Sequence, residues 1–301
     1  MFLSIRAAVH ISNLKTYCDL VDTKSFSKAA RLNGVTQSAV SQQLKSMESH
    51  FDMLIIDRSQ KKFRLTPQGS KLYSSFKEIV RLYQRLECDL QEMSNVLSGT
   101  IHVSTVTSIG LHVLPAYLKS FIKEFPTVNV RVEYRRSNLV YEDVQNGSID
   151  IGLIAFPVKR KDLTVIPFSE DELVLAAHPS NPLSKQKTLK VNDLHKVDFI
   201  GFERDIPTRQ ATDKILRQAG VEVKMAMEFD NVETVKRAIE INAGVAILPA
   251  STMRNEVQQN QLSQLSLGND SFKRPLAIIH RKDKILNPAM QTFIDLLKKK
   301  S

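Results

Sequence analysis

No apolar run in the 301-residue chain approaches the roughly 18 to 20 residues that span a bilayer. Its opening, "MFLSIRAAVH", is too short and too polar downstream for an export signal. The two cysteines, Cys18 and Cys88, lie far apart and outside any metal-ligand spacing, so a reduced cytoplasmic chain with no membrane partner is expected. None of the ten glycines forms a G-x-G, which removes the dinucleotide fingerprint and the kinase glycine loop. A phosphate-binding GKS/T loop and a G-x-S-x-G nucleophile elbow are missing too. The seven histidines make no H-x-x-x-H pair and have no neighbouring cysteine for zinc. No catalytic residue, metal site or cofactor is expected.

Acid is missing in one place that matters. Between Lys24 and Glu48 there is no Asp or Glu, although both are common on a merely solvated helix face. Residues 1–66 carry ten Lys/Arg against five Asp/Glu, and residues 67–98 carry four against four, in a chain of net charge +10. The N-terminal piece is therefore the most charge-dense, which suits an acidic partner.

That piece reads as short helices and a hairpin. A first helix begins near Ser12, with Leu14, Tyr17, Cys18 and Val21 on one face. In "SFSKAARLNGVTQSAVSQQLKSME", Phe26, Ala29 and Ala30 form the inner face of a second helix, and Gly34 supplies a left-handed turn. Thr36 caps a third helix with Val35, Ala39, Val40, Leu44 and Met47 inside. Small Ala30 and Ala39 let the helices cross closely, as a helix-turn-helix requires. The outer face of the third helix is Gln37, Ser38, Ser41, Gln42 and Lys45, side chains that suit a major groove. Ser25, Ser27 and Thr36 lie beside it. "LIIDRSQKKFRLT" adds two short strands around a basic turn, a wing offering Arg58, Lys61, Lys62, Arg64 and Thr66 to phosphates.

From Thr66-Pro67, a cap followed by proline at the first helical position, apolar residues fall at Leu72, Phe76, Ile79, Tyr83, Leu86, Leu90, Met93 and Leu97. This unbroken heptad alternation predicts a long helix, closed by Gly99; the stripe could pack on its own globular domain, but its narrow width fits a seam for a partner helix better.

Taken together, "SFSKAARLNGVTQSAVSQQLKSME" followed by "DRSQKKFRLTPQG" resembles the signature of LysR-type transcriptional regulators. Two positions depart from it. Lys24 stands where a glycine often precedes "SFS", and Asp52 where "LG" often closes the third helix.

Residues 99–301 alternate strands and helices, an α/β pattern. The resemblance implies an N-terminal winged helix-turn-helix (1–66), a linker and dimerisation helix (67–98), and a two-lobed effector domain like the type II periplasmic binding proteins (99–301). Lobe I would hold 99–168 and 275–301, and lobe II 169–274. Strand-to-helix junctions in such a fold present helix N-termini, which favour anions. The junction residues are Thr107, Ser108, Ser137, Asn138, Thr208, Arg209 and Asn231, each individually readable as a plain cap. Ala155 and Phe156 would supply an apolar wall. Arg135 or Arg136, if turned inward, would favour an anionic effector. His178 in "AAHPSNP" reads as structural.

The resemblance implies a regulator that binds dyad-symmetric promoter sites as a dimer of dimers and responds to a small, anionic effector. Its partners would be double-stranded DNA, that effector, further copies of itself and RNA polymerase. The alternatives are an effector-independent nucleoid-type DNA binder and an α/β enzyme with a fused DNA-binding domain.

Overall fold

A computed structural model describes residues 9–57, 63–93, 97–186, 189–268 and 272–299, with the side chains of 91–93 outside it. Helix α1 (Ile11–Thr23) ends at Lys24, whose backbone is left-handed at φ 51°. Helix α2 (Phe26–Leu32) starts on Ser25, whose hydroxyl accepts from the Lys28 N–H. Gly34 turns the chain at φ +64°. Helix α3 (Gln37–Phe51) then starts on Thr36, whose Oγ accepts from the Ala39 N–H, and closes on left-handed Asp52. Strands β1 (Ile56–Asp57) and β2 (Arg64–Leu65) pair antiparallel as the base of the wing.

One core joins these elements. Leu14, Tyr17, Leu20, Ala29, Ala30, Val40, Leu44 and Met47 are buried together with Ile55 and Phe76. Phe76 comes from the long helix α4 (Pro67–Met93), which the winged unit uses as its own fourth wall. The start of α4 comes close to Ile55: a Cβ on Gly69 would lie 2.1 Å from the Ile55 carbonyl oxygen. Tyr17 Oη donates to the Gly69 carbonyl at 2.8 Å. The glycine in "TPQG" is thus required by close approach.

The second unit is an α/β structure. It contains β3 (Gly99–Thr105), α5 (Thr107–His112), α6 (Leu114–Glu124), β4 (Val128–Tyr134), α7 (Ser137–Gln145) and β5 (Ile151–Ala155). Then follow β6 (Leu163–Ala177), β7 (Asp198–Phe202), α8 (Pro207–Gln218), β8 (Lys224–Phe229), α9 (Val232–Glu240) and β9 (Ala246–Pro249). Last come α10 (Arg254–Gln258), β10 (Ser263–Leu265), β11 (Phe272–Arg281) and α11 (Pro288–Lys299).

Two strands organise it. β6, of 15 residues, and β11, of 10, run antiparallel, so that the sheet order is β10-β6-β11-β5-β3-β4, with β9 also on β6. The β3–β4 and β3–β5 pairs are parallel, as is the separate β7–β8 pair. Leu163 and Ile279 share one buried cluster with Val140, Tyr141 and Ile154. Farther along β6, Leu173 and Leu175 belong to a second cluster with Phe199 and Val245, and Val174 and Ala176 to a third with Val235 and Leu248. The first cluster thus lies at one end of β6 and the second and third at the other, and a cleft opens between the two sides. No described helix is long and apolar enough to cross a membrane.

Candidate DNA-reading face and effector cleft

On α3, Gln37, Ser38, Gln42 and Lys45 are exposed and Ser41 is half-buried, while Val40, Leu44 and Met47 face the core. The 3.6-residue period thus sorts apolar from polar side chains cleanly. Ser27 on α2 is exposed and donates to Gln37 Oε1 at 3.0 Å, which orients that amide at the start of the helix. Ser25 and Thr36 use their hydroxyl oxygens as helix caps. Thr66 departs from its expected phosphate contact. Its hydroxyl donates to the Leu54 carbonyl at 2.8 Å and accepts from the Gly69 N–H at 2.9 Å, so it fixes the start of α4. Arg64 is exposed. Arg58, Lys61 and Lys62 lie outside the described residues. Exposed Lys28 and Arg31 on α2 add positive charge that the motif reading passed over.

The heptad stripe divides in two. Phe76 is buried and Leu72 half-buried in the winged unit's own core, which removes both from the seam expected of them. Ile79, Tyr83, Leu86 and Leu90 are exposed, and Leu82 joins them. Leu97 is half-buried, and the Met93 side chain lies outside the described residues.

In the second unit a cavity of about 450 Å³ is lined by Thr107, Ser108, Ser137, Asn138, Ala155, Thr208 and Asn231. These are seven of the nine expected effector residues. They come from the start of α5, α7, α8 and α9 and from the end of β5. The N-termini of α7, α8 and α9 present N–H groups with no intrahelical partner and the positive end of the helix dipole. Asn231 has a double duty, since its Oδ1 also caps α9 on the Glu233 and Thr234 N–H groups.

The other two do not line it. Arg209 is buried within α8's surroundings, where it donates to Asp213 Oδ1 at 2.6 Å, to the Phe202 carbonyl at 2.6 Å and to Glu228. Burial pushes its pKa down, but Glu228 and Asp213 outweigh that and raise it. Phe156 adopts a left-handed backbone at φ 51° and packs on the cluster of Leu173 and Phe199.

Arg135 and Arg136 both line the cavity, but neither is unopposed. Arg136 Nη2 lies 2.8 Å from Glu203, and the guanidinium is 3.4 Å from Asp205 and 3.5 Å from Asp230. Arg135 Nε is 3.4 Å from Asp143. The sequence reading missed Arg274, which also lines the cavity and is fully buried. Strand parity carried the signal, because Arg274 lies two residues before buried Leu276 on β11 and so on the same face. His178 Nδ1 meets Ser180 Oγ at 2.7 Å, and its carbonyl accepts from Ser184.

Comparison with known proteins agrees with this layout. Residues 11–70 match the model of the bacterial regulatory helix-turn-helix protein, lysR family. Residues 94–301 match the LysR substrate binding domain. The chain belongs to the LysR family. It is 30% identical over 285 residues, 95% of each chain, to the HTH-type transcriptional regulator CysL of Bacillus subtilis. A full-length OxyR point variant from Pseudomonas aeruginosa shares the fold, at TM-score 0.70 and 18% identity over 97% of both chains. The regulatory domain of Synechocystis CcmR, solved in complex with 2-PG, matches 67% of this chain and 97% of its own at 25% identity and TM-score 0.62. As a LysR family member the chain is an effector-responsive, DNA-binding transcriptional regulator and not an enzyme.

Proposed function

We propose that this regulator reads DNA with the exposed face of α3, pairs through the exposed stripe of α4, and takes a small anion into the cleft of its second unit. Two chains joined along Ile79, Tyr83, Leu86 and Leu90 would present two recognition helices to the half-sites of a dyad. Further pairing would build a dimer of dimers. RNA polymerase would be the machinery whose access or recruitment this assembly changes.

The single observation that carries the effector reading is the cavity wall, where three helix N-termini and three arginines, of which Arg135 and Arg136 face acids, line about 450 Å³ together with Asp205 and Asp230. Helix N-termini and cations favour a negative ligand. CcmR's regulatory domain was solved with 2-PG, which supports a small-molecule ligand. The anion would act by favouring one arrangement of the cleft over another, since equal affinity for both shifts nothing.

The test is selection of sheared genomic DNA on the purified full-length chain, with and without a low-molecular-weight metabolite extract. Enriched fragments with T-rich and A-rich half-sites in dyad symmetry, with an occupancy that changes on adding extract, are the expected result. Equal recovery of all fragments in both conditions would remove the sequence-reading claim.

A further inference from the structure

Among the described residues, three Lys and Arg side chains are buried in the second unit, and the fold treats one of them differently. Lys236 is 1% exposed. Its ammonium meets Glu256 at 2.6 Å, the Thr252 carbonyl at 3.0 Å and Glu233 at 3.1 Å, one acceptor for each N–H. Arg209, 7% exposed, has three acceptors in Asp213, Glu228 and the Phe202 carbonyl. Arg274 is 1% exposed and makes one hydrogen bond, from Nη2 to Ser108 Oγ at 2.6 Å.

Its neighbouring acid does not complete it. Asp171 lies opposite Arg274 in the β6–β11 register, with Oδ2 at 3.6 Å from Nη1, beyond hydrogen-bond reach. The Asp171 oxygens are already held by the Ser251 hydroxyl at 2.5 Å and by the backbone N–H groups of Ser251 and Glu172. Nε and Nη1 of Arg274 are buried without a hydrogen-bond partner among the described residues. Burial lowers the guanidinium pKa to about 10, with Asp171 opposing the shift, so the group stays charged near neutral pH. Buried N–H groups with no acceptor are costly, more so on a charge. The same fold supplies acceptors to Lys236 and Arg209. What sets Arg274 apart is position: it alone of the three lines the cavity.

We propose that Arg274 is the anchor for the anionic head of the cleft ligand, which supplies the acceptors the protein withholds. This narrows the effector reading above and rests on it. The head is a compact oxyanion, a carboxylate or a phosphate or sulfate group. It accepts from Arg274, and Ser108 donates its own O–H to the head while its lone pair keeps the Arg274 Nη2–H. Thr107 and Thr208, on the same cavity wall, supply further hydroxyl donors. Forked, always-charged arginine suits such a head better than lysine would.

The experiment compares the full-length protein with Arg274→Gln and with Arg237→Gln, a surface arginine paired with Glu240. Inorganic phosphate, sulfate and glycolate are titrated separately in chloride buffer, read by calorimetry and thermal melting. At least one anion is expected to bind the wild type, and which of them binds distinguishes a tetrahedral from a carboxylate head. Arg274→Gln should weaken that binding by roughly ten- to a hundredfold, the worth of a hydrogen bond to a charged group, and Arg237→Gln should not.

Without anion, Arg274→Gln should melt at or above the wild-type temperature, because it removes an incompletely bonded buried charge. Wild-type anion affinity in Arg274→Gln would overturn the proposal. So would melting more than about 5 °C below wild type without anion, which would mark a structural cation. Should that variant fail to fold, Ser108→Ala tests the same head, and unchanged affinity there overturns it equally. If no probe binds the wild type while metabolite extract still alters DNA occupancy, the anchor is wrong and the effector reading stands. If extract also has no effect, the effector reading itself falls.

Discussion

His112 Nε2 lies 2.7 Å from Glu233 Oε1, tying the end of α5 to the first turn of α9. These two helices contribute Ser108 and Asn231 with Val232 to different parts of the cavity wall. The contact continues inward, since Glu233 Oε2 also meets the buried ammonium of Lys236 at 3.1 Å. A ligand that favoured one arrangement of the cleft would have to keep or break this tie.

The Glu233 carboxyl gives the contact a pH dependence. Burial pushes its pKa up, but the hydrogen bonds from His112 and Lys236 outweigh burial and hold it below the ordinary glutamate value. A depressed folded-state pKa contributes stability that is present above the unfolded value and is lost as pH falls through the folded one. Glu233→Gln should therefore melt below the wild type near neutral pH, by on the order of 1 kcal/mol or less. The gap should begin to shrink as pH falls below the ordinary glutamate value of about 4.3 and close only once pH has passed the lower folded-state value. A gap of the same size at both ends would show that the carboxylate charge contributes nothing there.

Lys24 and Asp52 explain their own departure from the family motif. Both are helix C-caps with positive φ, at 51° and 53°, the conformation for which glycine carries no Cβ penalty. Left-handed backbone costs an ordinary L-residue about 1–2 kcal/mol, and Asp less than most. Lys24→Gly should raise the local stability of α1 to α3 by ~0.5–1 kcal/mol and Asp52→Gly by a smaller amount, after the extra unfolded-state entropy of glycine is counted. Hydrogen exchange across these helices in the full chain measures both. Equal or reversed effects would mean that the caps are not where the strain lies.

Much of the DNA-reading unit was legible because it is local. Caps at Ser25 and Thr36, the turn at Gly34 and the sorting of α3 into two faces follow from neighbours in the chain. The α4 stripe was legible as a period but not as a function. Leu72 and Phe76 have the same spacing as Leu86 and Leu90, and only the packing of Tyr17 and Phe51 around Phe76 separates core from seam. The cleft junctions were found because a strand followed by a cap is a local pattern. Arg209 was expected in the wall and Arg274 was passed over, since partners distant in the chain decide both: Phe202 and Glu228 hold Arg209, and Ser108 meets Arg274. Phe156 left the wall through a backbone conformation that an aromatic residue rarely adopts.

The division of α4 can be tested by placing the same charge at two points of one stripe. Leu86 is 52% exposed, and Leu86→Lys should leave the winged unit folded while shifting the sedimenting species toward monomer. Leu72 packs on the core with Phe76, and Leu72→Lys should instead destabilise that unit by about 2–5 kcal/mol, as loss of a core side chain does. An unchanged mass for Leu86→Lys at micromolar concentration would place the dimer contact elsewhere.

Gln37 and Arg64 should fail differently on DNA. Gln37 is exposed at the first position of α3, and Ser27 already holds its Oε1 at 3.0 Å, so the amide is oriented before DNA arrives. A glutamine set that way can bond both groups of an adenine edge, and its loss removes discrimination. Gln37→Ala should cost about 1–3 kcal/mol at the selected site and much less on random duplex. Ser27→Ala, which frees the amide without removing it, should give a smaller loss of the same kind. Arg64 stands exposed on the wing strand β2, and its proposed partner is a phosphate. Arg64→Ala should weaken binding to every sequence alike and lower the slope of log affinity against log salt by about one. Titrations of both variants on selected and random duplex, each at several salt concentrations, separate the two roles. A uniform loss for Gln37→Ala, or an unchanged salt slope for Arg64→Ala, would reverse the assignment of base reader and backbone clamp.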